Sequence, residues 1–253
     1  RFIQQASLLA GAGLVQSLPS AAGAAPNGST AMDIRRQLLV PEGRAYLNTG
    51  SLGPSPRAVL EAVTNAMWTL ERNPVSENWG PLGVQMEQVR NKVADFIHAD
   101  KKSVLLTRNT TEGLTLVCQV LPLKEGDEII TTTLEHGGGE VGLEYLVKTR
   151  GAKLIKVELP LPPDDPAAIL KVIESAITPR TRLIMLSHVN TITGMLMPVA
   201  DVSRITQAMG IFLLIDGAQA PGLTPVDVTA MGCDAYACSG HKWLLGPKET
   251  GFL

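Results

Sequence analysis

From Met32 onward, the chain alternates between amphipathic segments with apolar residues three or four apart and short apolar runs. These two periodicities predict helices and strands, respectively. The predicted helices are Ser55–Leu70, Leu82–His98, Thr111–Leu121, Glu140–Thr149, Ala167–Ile177 and Asp201–Met209. The predicted strands are Val104–Thr107, Glu128–Thr132, Lys153–Val157, Arg182–Leu186, Ile211–Ile215 and Ala235–Cys238, and Gly251–Leu253 is typical of the start of another. The alternation predicts an α/β fold with a mostly parallel sheet wrapped by helices and ligands at the strand carboxyl ends.

The composition restricts the classes of partner that the protein can bind. A length of 253 residues with 45% hydrophobic residues suits one large domain or slightly more. A net charge of −2 and 4% aromatic residues provide neither a basic surface nor a stacking surface, so we expect no nucleic-acid partner. The three cysteines, Cys118, Cys233 and Cys238, lack metal-ligand spacing and lie in apolar surroundings. They indicate buried free thiols, and no metal site is predicted.

The first 25 residues have the pattern of an export signal peptide. The apolar run Ala6–Leu18 is too short to span a membrane comfortably, and Pro19 and an Ala-x-Ala site at Ala22–Ala24 follow it. The opening Arg1–Gln5 resembles the downstream half of a twin-arginine motif, which predicts a periplasmic or otherwise exported protein without membrane insertion after signal removal. The alternatives are an Ala-rich disordered tail or an ordinary secretory signal. Residues 26–44 would then form a linker and N-terminal segment.

Two charged residues follow short apolar runs near the end of the chain. The run Ile211–Ile215 precedes Asp216, and Ala235–Cys238 leads into Ser-Gly-His-Lys, which ends at Lys242. A carboxylate and a lysine at neighbouring strand ends suit pyridoxal 5'-phosphate (PLP), since the lysine forms the Schiff base and the acid keeps the pyridine nitrogen protonated. The alternatives are that Asp216 only caps the following turn and that Lys248, on a loop, is the reactive lysine.

These segments, Leu213–Gln219 and Ser239–Lys242, resemble the class V aminotransferase family, which includes cysteine desulfurases and isopenicillin N epimerase-like enzymes. The resemblance runs from about Ala45 to Leu253. It implies the large domain of a fold-type-I PLP enzyme over residues 45–253, with the C-terminal small domain outside this sequence, and a homodimer. It also implies that the residues gripping the substrate carboxylate belong to that C-terminal part.

The resemblance assigns the contacts to the cofactor phosphate. Ser239 and His241 precede the Schiff-base lysine, and Thr110 and Thr111 match the family's phosphate-binding pair. The two threonines stand at a predicted helix start, where free N–H groups and the helix dipole favour phosphate. Without the resemblance, the same segment would indicate a plain N-cap with a nearby Glu112.

The resemblance also assigns the contacts to the cofactor ring. His136 matches the histidine that stacks on the pyridine ring, so it joins Lys242 and Asp216 as a catalytic candidate. Gln219 matches the position that hydrogen-bonds the ring's phenolic oxygen, and Thr191 stands where the family often has Asn for a similar contact. His136 also begins a His-Gly-Gly-Gly run, as in esterase oxyanion loops, but the chain has no Gly-x-Ser-x-Gly elbow. A histidine on a flexible glycine loop is the remaining alternative.

Three segments resemble the isopenicillin N epimerase-like branch more than the desulfurases: Tyr46–Pro54, the proline-rich Leu159–Asp165 and His241–Leu244. We therefore expect a PLP-dependent enzyme acting at the α-carbon of an amino acid or amino-acid-derived small molecule, by epimerase-like or aminotransferase chemistry. The alternatives are desulfurase or lyase-type elimination, a non-catalytic PLP-binding protein, and a doubly wound module that binds no PLP.

Overall fold

The structure is a computed structural model that describes residues 31–160 and 165–253, so the predicted signal peptide and part of the proline-rich loop lie outside the described residues. The helices are α1 (Ala31–Gln37), α2 (Arg57–Arg72), α3 (Pro74–Trp79), α4 (Pro81–Ile97), α5 (Thr110–Val120), α6 (Gly137–Arg150), α7 (Pro166–Ala176), α8 (Val199–Met209) and α9 (Val228–Met231). The strands are β1 (Leu106–Thr107), β2 (Glu128–Thr132), β3 (Lys153–Val157), β4 (Thr181–Ser187), β5 (Phe212–Asp216), β6 (Ala235–Ser239) and β7 (Gly251–Phe252).

The strands form one sheet in the order β1-β7-β6-β5-β4-β2-β3. Every pairing is parallel except the two that β7 makes with β1 and β6. The predicted mostly parallel α/β sheet is therefore confirmed. In the register, Ser187 pairs with Asp216, and Asp216 pairs with Ala237. The carboxyl ends of β4, β5 and β6 thus lie side by side, which brings the residues after these strands to one edge of the sheet.

The core consists of two apolar layers, one on each face of the sheet. Alternate strand residues supply them, because successive side chains of a strand point to opposite faces. One layer contains Ile184, Leu213 and Ile215 together with residues of α4, α7 and α8. The other contains Leu183, Leu214 and residues of α5 and α6. The sheet is therefore covered by helices on both faces, and its central strands can be apolar along their whole length.

The observed elements differ from the predicted ones mainly where proline or glycine begins a helix. The segment before Leu82 contains the unpredicted helix α3, and Pro74 and Pro81 stand at the first positions of α3 and α4. Proline suits this position because its fixed φ matches the helix and its missing N–H group is not needed there. The six-residue α3 and four-residue α9 are too short to show a periodicity, so the sequence did not predict them.

The cysteine prediction is correct for two of the three thiols. Cys118 and Cys238 are buried, whereas Cys233 is only partly buried, and none forms a disulfide. Cys233 follows the short helix α9 and the turn at Gly232, so part of its surface remains open. Among residues 31–160 and 165–253, no helix is long and apolar enough to cross a membrane, and no cluster of His, Cys, Asp or Glu could hold a metal ion.

Candidate active site

A cavity of about 450 Å³ opens at the carboxyl ends of β5 and β6 and at the start of α5. It is lined by Leu52, Asn109, Thr110, Thr111, His136, Gly139, Asp216, Ala218, Ser239, His241, Lys242, Lys248 and Glu249. Seven of the nine predicted site residues therefore line one cavity; the two that do not are Thr191 and Gln219. These seven come from four separate segments of the chain, and the parallel sheet brings them together because each segment follows a strand.

Asp216 is the most deeply buried charged residue of this cavity. It ends β5 and is only 5% exposed. Burial raises the pKa of its carboxyl; the N–H group of Ala218, which donates to Oδ1 over 2.9 Å, and the positive charges of Lys242 and His136 act in the opposite direction. Asp216 therefore does cap the following turn, but with one oxygen only. A buried carboxylate is costly without a cationic partner, so the second oxygen suits a positively charged ligand atom.

The second carboxylate oxygen faces the first turn of α6. A Cβ atom at Gly139 would lie 3.3 Å from Oδ2 of Asp216, which is tighter than an ordinary contact. Since Gly139 lines the cavity beside Asp216, the missing side chain keeps open the space next to this oxygen. A flat ring bearing a protonated nitrogen fits such a space.

Lys242 lies in the loop between β6 and β7. Burial lowers the pKa of its ammonium group, although the charge of Asp216 opposes this shift. A lower pKa gives a larger fraction of neutral amine, which is the nucleophilic form. The loop is closed by two backbone hydrogen bonds: Gly246 donates to the Gly240 carbonyl over 2.8 Å, and Gly240 donates to the Thr250 carbonyl over 2.7 Å. Its backbone therefore holds Lys242 in a defined place.

A segment from the N-terminal part of the domain packs on this loop. The N–H group of Gly53 donates to the carbonyl oxygen of His241 over 2.8 Å. Lys248 reaches back from the loop, and its Nζ donates to the carbonyl oxygen of Gly53 and to Oγ of Ser55 over 2.5 and 3.0 Å. The sequence indicated only that Lys248 lies on a loop. The structure shows that its side chain fastens the Gly53 segment beside Lys242.

The start of α5 provides hydroxyl and N–H groups at the cavity wall. Both the N–H group and the hydroxyl of Thr110 contact Oγ of Ser239, over 3.0 and 2.7 Å. The Asn109 side chain caps the helix by accepting from the N–H group of Glu112 over 2.8 Å. The N-cap expected from the sequence is thus present. It coexists with a cluster of Thr110, Thr111 and Ser239 at a helix N-terminus, which is a suitable environment for phosphate.

His241 contacts the same end of the cavity. Its Nδ1 lies 3.2 Å from the carbonyl oxygen of Thr250, so Nδ1 carries the proton and donates. Burial lowers the pKa of the imidazole, the Thr250 carbonyl acts against this, and the Lys242 charge adds to it. A phosphate dianion beside Nε2 would favour the doubly protonated ring, which could then donate from both nitrogens.

His136 occupies the N-cap position of α6. Its Nδ1 accepts from the N–H group of Gly138 over 3.1 Å, so its other nitrogen carries the proton in the neutral ring. The glycines after it form the first turn of α6, and the alternative of a flexible glycine loop is therefore wrong. A Cβ atom at Gly138 would lie 2.6 Å from Oγ1 of Thr111. The glycines thus allow the first turns of α5 and α6 to approach closely at the cavity.

Thr191 and Gln219 do not line the cavity but form part of its support. The amide nitrogen of Gln219 donates to the Gly50 carbonyl over 2.9 Å and to Oγ1 of Thr191 over 3.1 Å. Its amide oxygen accepts from the indole N–H group of Trp243 over 2.6 Å. The side chain of Gln219 therefore ties the Gly50 segment to the residue after Lys242. The ring-oxygen contacts that the resemblance implies for Thr191 and Gln219 stay predictions.

Comparison with known proteins identifies this arrangement. The family model described as Aminotransferase class-V matches residues 45–253. The chain belongs to the class-V aminotransferase family. An isopenicillin N epimerase from Streptomyces clavuligerus is 36% identical over 221 residues, covering 87% of this chain and 56% of the relative. A probable cysteine desulfurase from Methanothermobacter thermautotrophicus is 30% identical, covering 87% and 55%. The chain thus spans just over half the length of these curated relatives.

Solved structures of cysteine-processing enzymes share the fold of this class-V chain. The cysteine desulfurase CsdA from Escherichia coli superposes with a TM-score of 0.75 at 29% identity, covering 89% of this chain and 58% of that one. A C-DES mutant with glycine covalently linked to the PLP cofactor superposes with a TM-score of 0.76 at 28% identity, covering 86% and 58%.

The cofactor of this class-V chain is PLP, and the residues at the cavity fit it. The buried Asp216 requires a cationic partner, and the pyridinium nitrogen is one. The lowered pKa of Lys242 suits attack on an aldehyde. The hydroxyl cluster at the start of α5 suits a phosphate. These residues therefore match the pyridine nitrogen, the aldehyde and the phosphate of one PLP molecule. They are far apart in the sequence, so the fold of the whole sheet, and not a local motif, brings them together.

Two further buried groups lie beside the site residues, and sequence reasoning missed the first of them. Glu135, directly before His136, is 8% exposed, and His188, directly after β4, is 5% exposed. Nδ1 of His188 lies 3.0 Å from the hydroxyl of Tyr236, and the two rings meet edge to face. The sequence signal for Glu135 was its position between the buried strand β2 and a candidate catalytic histidine.

Proposed function

We propose that the full-length protein is a PLP-dependent enzyme that makes and breaks bonds at the α-carbon of an amino acid or amino-acid-derived substrate, by epimerisation or transamination. The observation that carries this proposal is the meeting of Lys242 and Asp216 in one cavity, where burial lowers the pKa of the lysine and leaves the carboxyl in need of a cationic partner. A degenerate binding protein would have no reason to retain both groups in this geometry.

PLP, when bound, supplies an electron sink that lowers the barrier to removing the proton from the α-carbon. Lys242 would hold the cofactor, and its amine would become free once the substrate's amino group replaces it there. The amine of Lys242 would then accept the proton from the α-carbon and return a proton as a general acid. Its lowered pKa raises the fraction of neutral amine that is available for this exchange.

Asp216 holds the proton at the pyridine nitrogen. Its burial makes the charge interaction strong, because the local dielectric is low. The hydroxyls of Thr110, Thr111 and Ser239, with His241, anchor the phosphate and so fix the cofactor while its bond to Lys242 is exchanged. His136, at the N-cap of α6, lines the same cavity and is the residue that we assign to the face of the ring.

The epimerase-like branch is supported by the relatives and by the segment around Gly53. The Streptomyces clavuligerus relative matches over 87% of this chain. The segment Asn48–Gly53 contacts the lysine loop through Gly53 and the side chain of Gln219 through Gly50. It therefore lies where it can influence which substrate reaches Lys242.

Elimination from cysteine is the second candidate, favoured by the desulfurase relatives and structures. The thiols of this chain do not support it as a self-contained activity. Burial raises the pKa of Cys118 to about 12 and that of Cys233 to about 11, and it also raises the pKa of Cys238. A nucleophilic cysteine requires a lowered pKa and exposure, so none of these thiols suits sulfur transfer.

Borohydride reduction of the PLP-loaded full-length protein, followed by peptide mapping, tests the attachment site. The trapped cofactor should map to Lys242, and Lys242→Ala should abolish the adduct. Lys248→Ala tests the other lysine of the cavity: the trapped cofactor should still map to Lys242, with a yield that depends on how well the Gly53 segment keeps its place. An adduct at Lys248 in the wild type would overturn the assignment.

The type of reaction is determined by incubating the full-length protein with a panel of amino acids and identifying the products. Deuterium uptake at the α-carbon without a keto product indicates epimerisation, and a keto acid with pyridoxamine phosphate indicates transamination. Sulfide or persulfide release from cysteine at a rate that rivals the other substrates would instead favour the second candidate.

A further inference from the structure

Glu135 is a buried carboxyl that the proposed mechanism does not use. Its Oε1 contacts the hydroxyl of Thr132 over 2.8 Å. Its Oε2 contacts both the N–H group and the hydroxyl of Ser187, over 3.0 and 2.5 Å. The side chain therefore fastens the residue before His136 to the ends of β2 and β4. Every contact is to a neutral group, so no ion pair compensates a charge on Glu135 within the described part of the chain.

Glu135 lies close to Asp216 across the sheet. Ser187, which contacts Glu135, pairs with Asp216 in the register of β4 and β5, and neighbouring strands are about 4.8 Å apart. The negative charge of Asp216 acts on Glu135. When two carboxyl groups lie this close in a buried site, ionising both has a high electrostatic free-energy cost.

The other ionisable groups near this pair leave Glu135 without a cation. Lys242 and His136 act on Asp216, and the pyridinium nitrogen would add a third positive partner there. On the far side of Ser187, His188 is engaged with Tyr236. The cationic neighbours therefore favour a negative charge on Asp216 over one on Glu135.

We propose that Glu135 carries a proton in the PLP-loaded enzyme, so that the site presents a single carboxylate charge, on Asp216, to the pyridinium nitrogen. This inference rests on the proposed function. Glu135 would act as a positioning residue, because it touches the ends of β2 and β4 rather than the cofactor. The hydroxyls of Thr132 and Ser187 can accept as well as donate, so the same contacts serve the protonated acid.

The electrostatic surroundings agree with this assignment. Burial, and to a smaller extent the Asp216 charge, raise the pKa of Glu135, whereas hydrogen bonds from Ser187 and Thr132 lower it, and the net pKa is about 7. Glu135 is therefore mostly protonated below neutral pH. Above it, a second negative charge would develop beside Asp216, which changes the electrostatics of the ring nitrogen without any change in the contacts to the cofactor.

Infrared difference spectroscopy of the PLP-loaded full-length protein tests this directly, because a protonated carboxyl has its own C=O stretching band. At about pH 6, below the raised pKa but above that of an ordinary glutamate, the wild type should show this band. The band should disappear in Glu135→Gln, which keeps the shape and some hydrogen bonds but cannot titrate. In the wild type, the band should fade with a midpoint near pH 7.

Two further variants make the test specific. Glu128→Gln changes another buried glutamate, at the opposite end of β2. Hydrogen bonds from Thr178 and Arg180 lower the pKa of Glu128. The carboxyl band should therefore persist in this variant. Asp216→Asn should also retain it. A band that survives Glu135→Gln, or that disappears in Asp216→Asn instead, would overturn the inference alone. A protein that takes up no PLP at Lys242 would overturn the proposed function, and the trapping experiment reports this separately.

Discussion

The backbone of Gly53 packs directly on the carbonyl oxygen of Lys242. A Cβ atom at Gly53 would lie 2.0 Å from that oxygen and 2.8 Å from Cδ2 of Leu245. The nearest obstacle is backbone, which cannot rotate away as a flexible side chain can. Since Leu245 has a positive φ of 55°, the loop is already in a conformation that side-chain-bearing residues rarely adopt. The position of the lysine therefore depends on a glycine that lies 189 residues earlier in the printed sequence.

Gly53→Ala should displace the Lys242 loop. We expect a loss of about 1–3 kcal/mol of stability, as for other overpacked sites, and a reduced yield of borohydride-trapped PLP. The measurements are the free energy of unfolding and the trapped fraction at saturating PLP. Gly83→Ala is the control, since a Cβ there meets its nearest atom at 3.4 Å, an ordinary contact. Equal trapping by Gly53→Ala and the wild type would contradict this account of the loop.

Asp216→Asn should separate cofactor binding from chemistry. The asparagine keeps the shape and can still accept from the Ala218 N–H group, but it removes the charge opposite the pyridinium nitrogen. We expect PLP to remain bound and turnover to fall by roughly 100-fold or more, because preorganised charges in low-dielectric sites contribute strongly to rate.

The control for this variant is Asp234→Asn, which changes an exposed carboxyl that accepts from the N–H group of Leu213 at the other end of the sheet. Turnover should be unaffected there. Unchanged turnover in Asp216→Asn would exclude its role at the ring nitrogen.

Thr111→Val should weaken binding through the phosphate alone. Valine has nearly the same shape as threonine but lacks the hydroxyl. We expect affinity for PLP to fall by about 10-fold, the equivalent of one hydrogen bond of roughly 1.5 kcal/mol, while affinity for pyridoxal, which has no phosphate, should not change. Thr115→Val, one turn further along α5, is the matched control. Equal losses for PLP and pyridoxal would indicate a structural effect rather than a phosphate contact.

The strands were the most predictable part of this fold. The bounds of β2 and β3 agree with the predicted ones because Glu128–Thr132 and Lys153–Val157 are short runs between turns. The helix starts were less predictable. The start of α6 lies three residues before the predicted Glu140, since glycine is a poor helix former and only the N-cap contact of His136 stabilises that turn.

The site was predictable where residues follow strands and unpredictable where loops meet. Asp216 and Lys242 follow apolar runs, so their proximity follows from a parallel sheet. The contacts of Gln219 with Gly50 and Trp243 join three loops, and no periodicity specifies how loops pack. The buried Glu135 was missed for a related reason, because its burial depends on Ser187, 52 residues away.

His188 should make the protein sensitive to acid. Burial lowers its pKa from 6.5 to about 4, so between these values the unfolded chain binds a proton that the folded chain does not. The free energy of unfolding should therefore fall as the pH is lowered from about 6.5 to 4, by at most about 3 kcal/mol from this residue. His188→Gln can hydrogen-bond to the Tyr236 hydroxyl in either direction but does not titrate, and it should lose this part of the acid dependence. His98→Asn is the control, because this histidine is exposed at the end of α4, where its φ is 56° and asparagine is tolerated. Denaturant unfolding at several pH values measures all three proteins, and an acid limb that persists unchanged in His188→Gln would assign the sensitivity to another group.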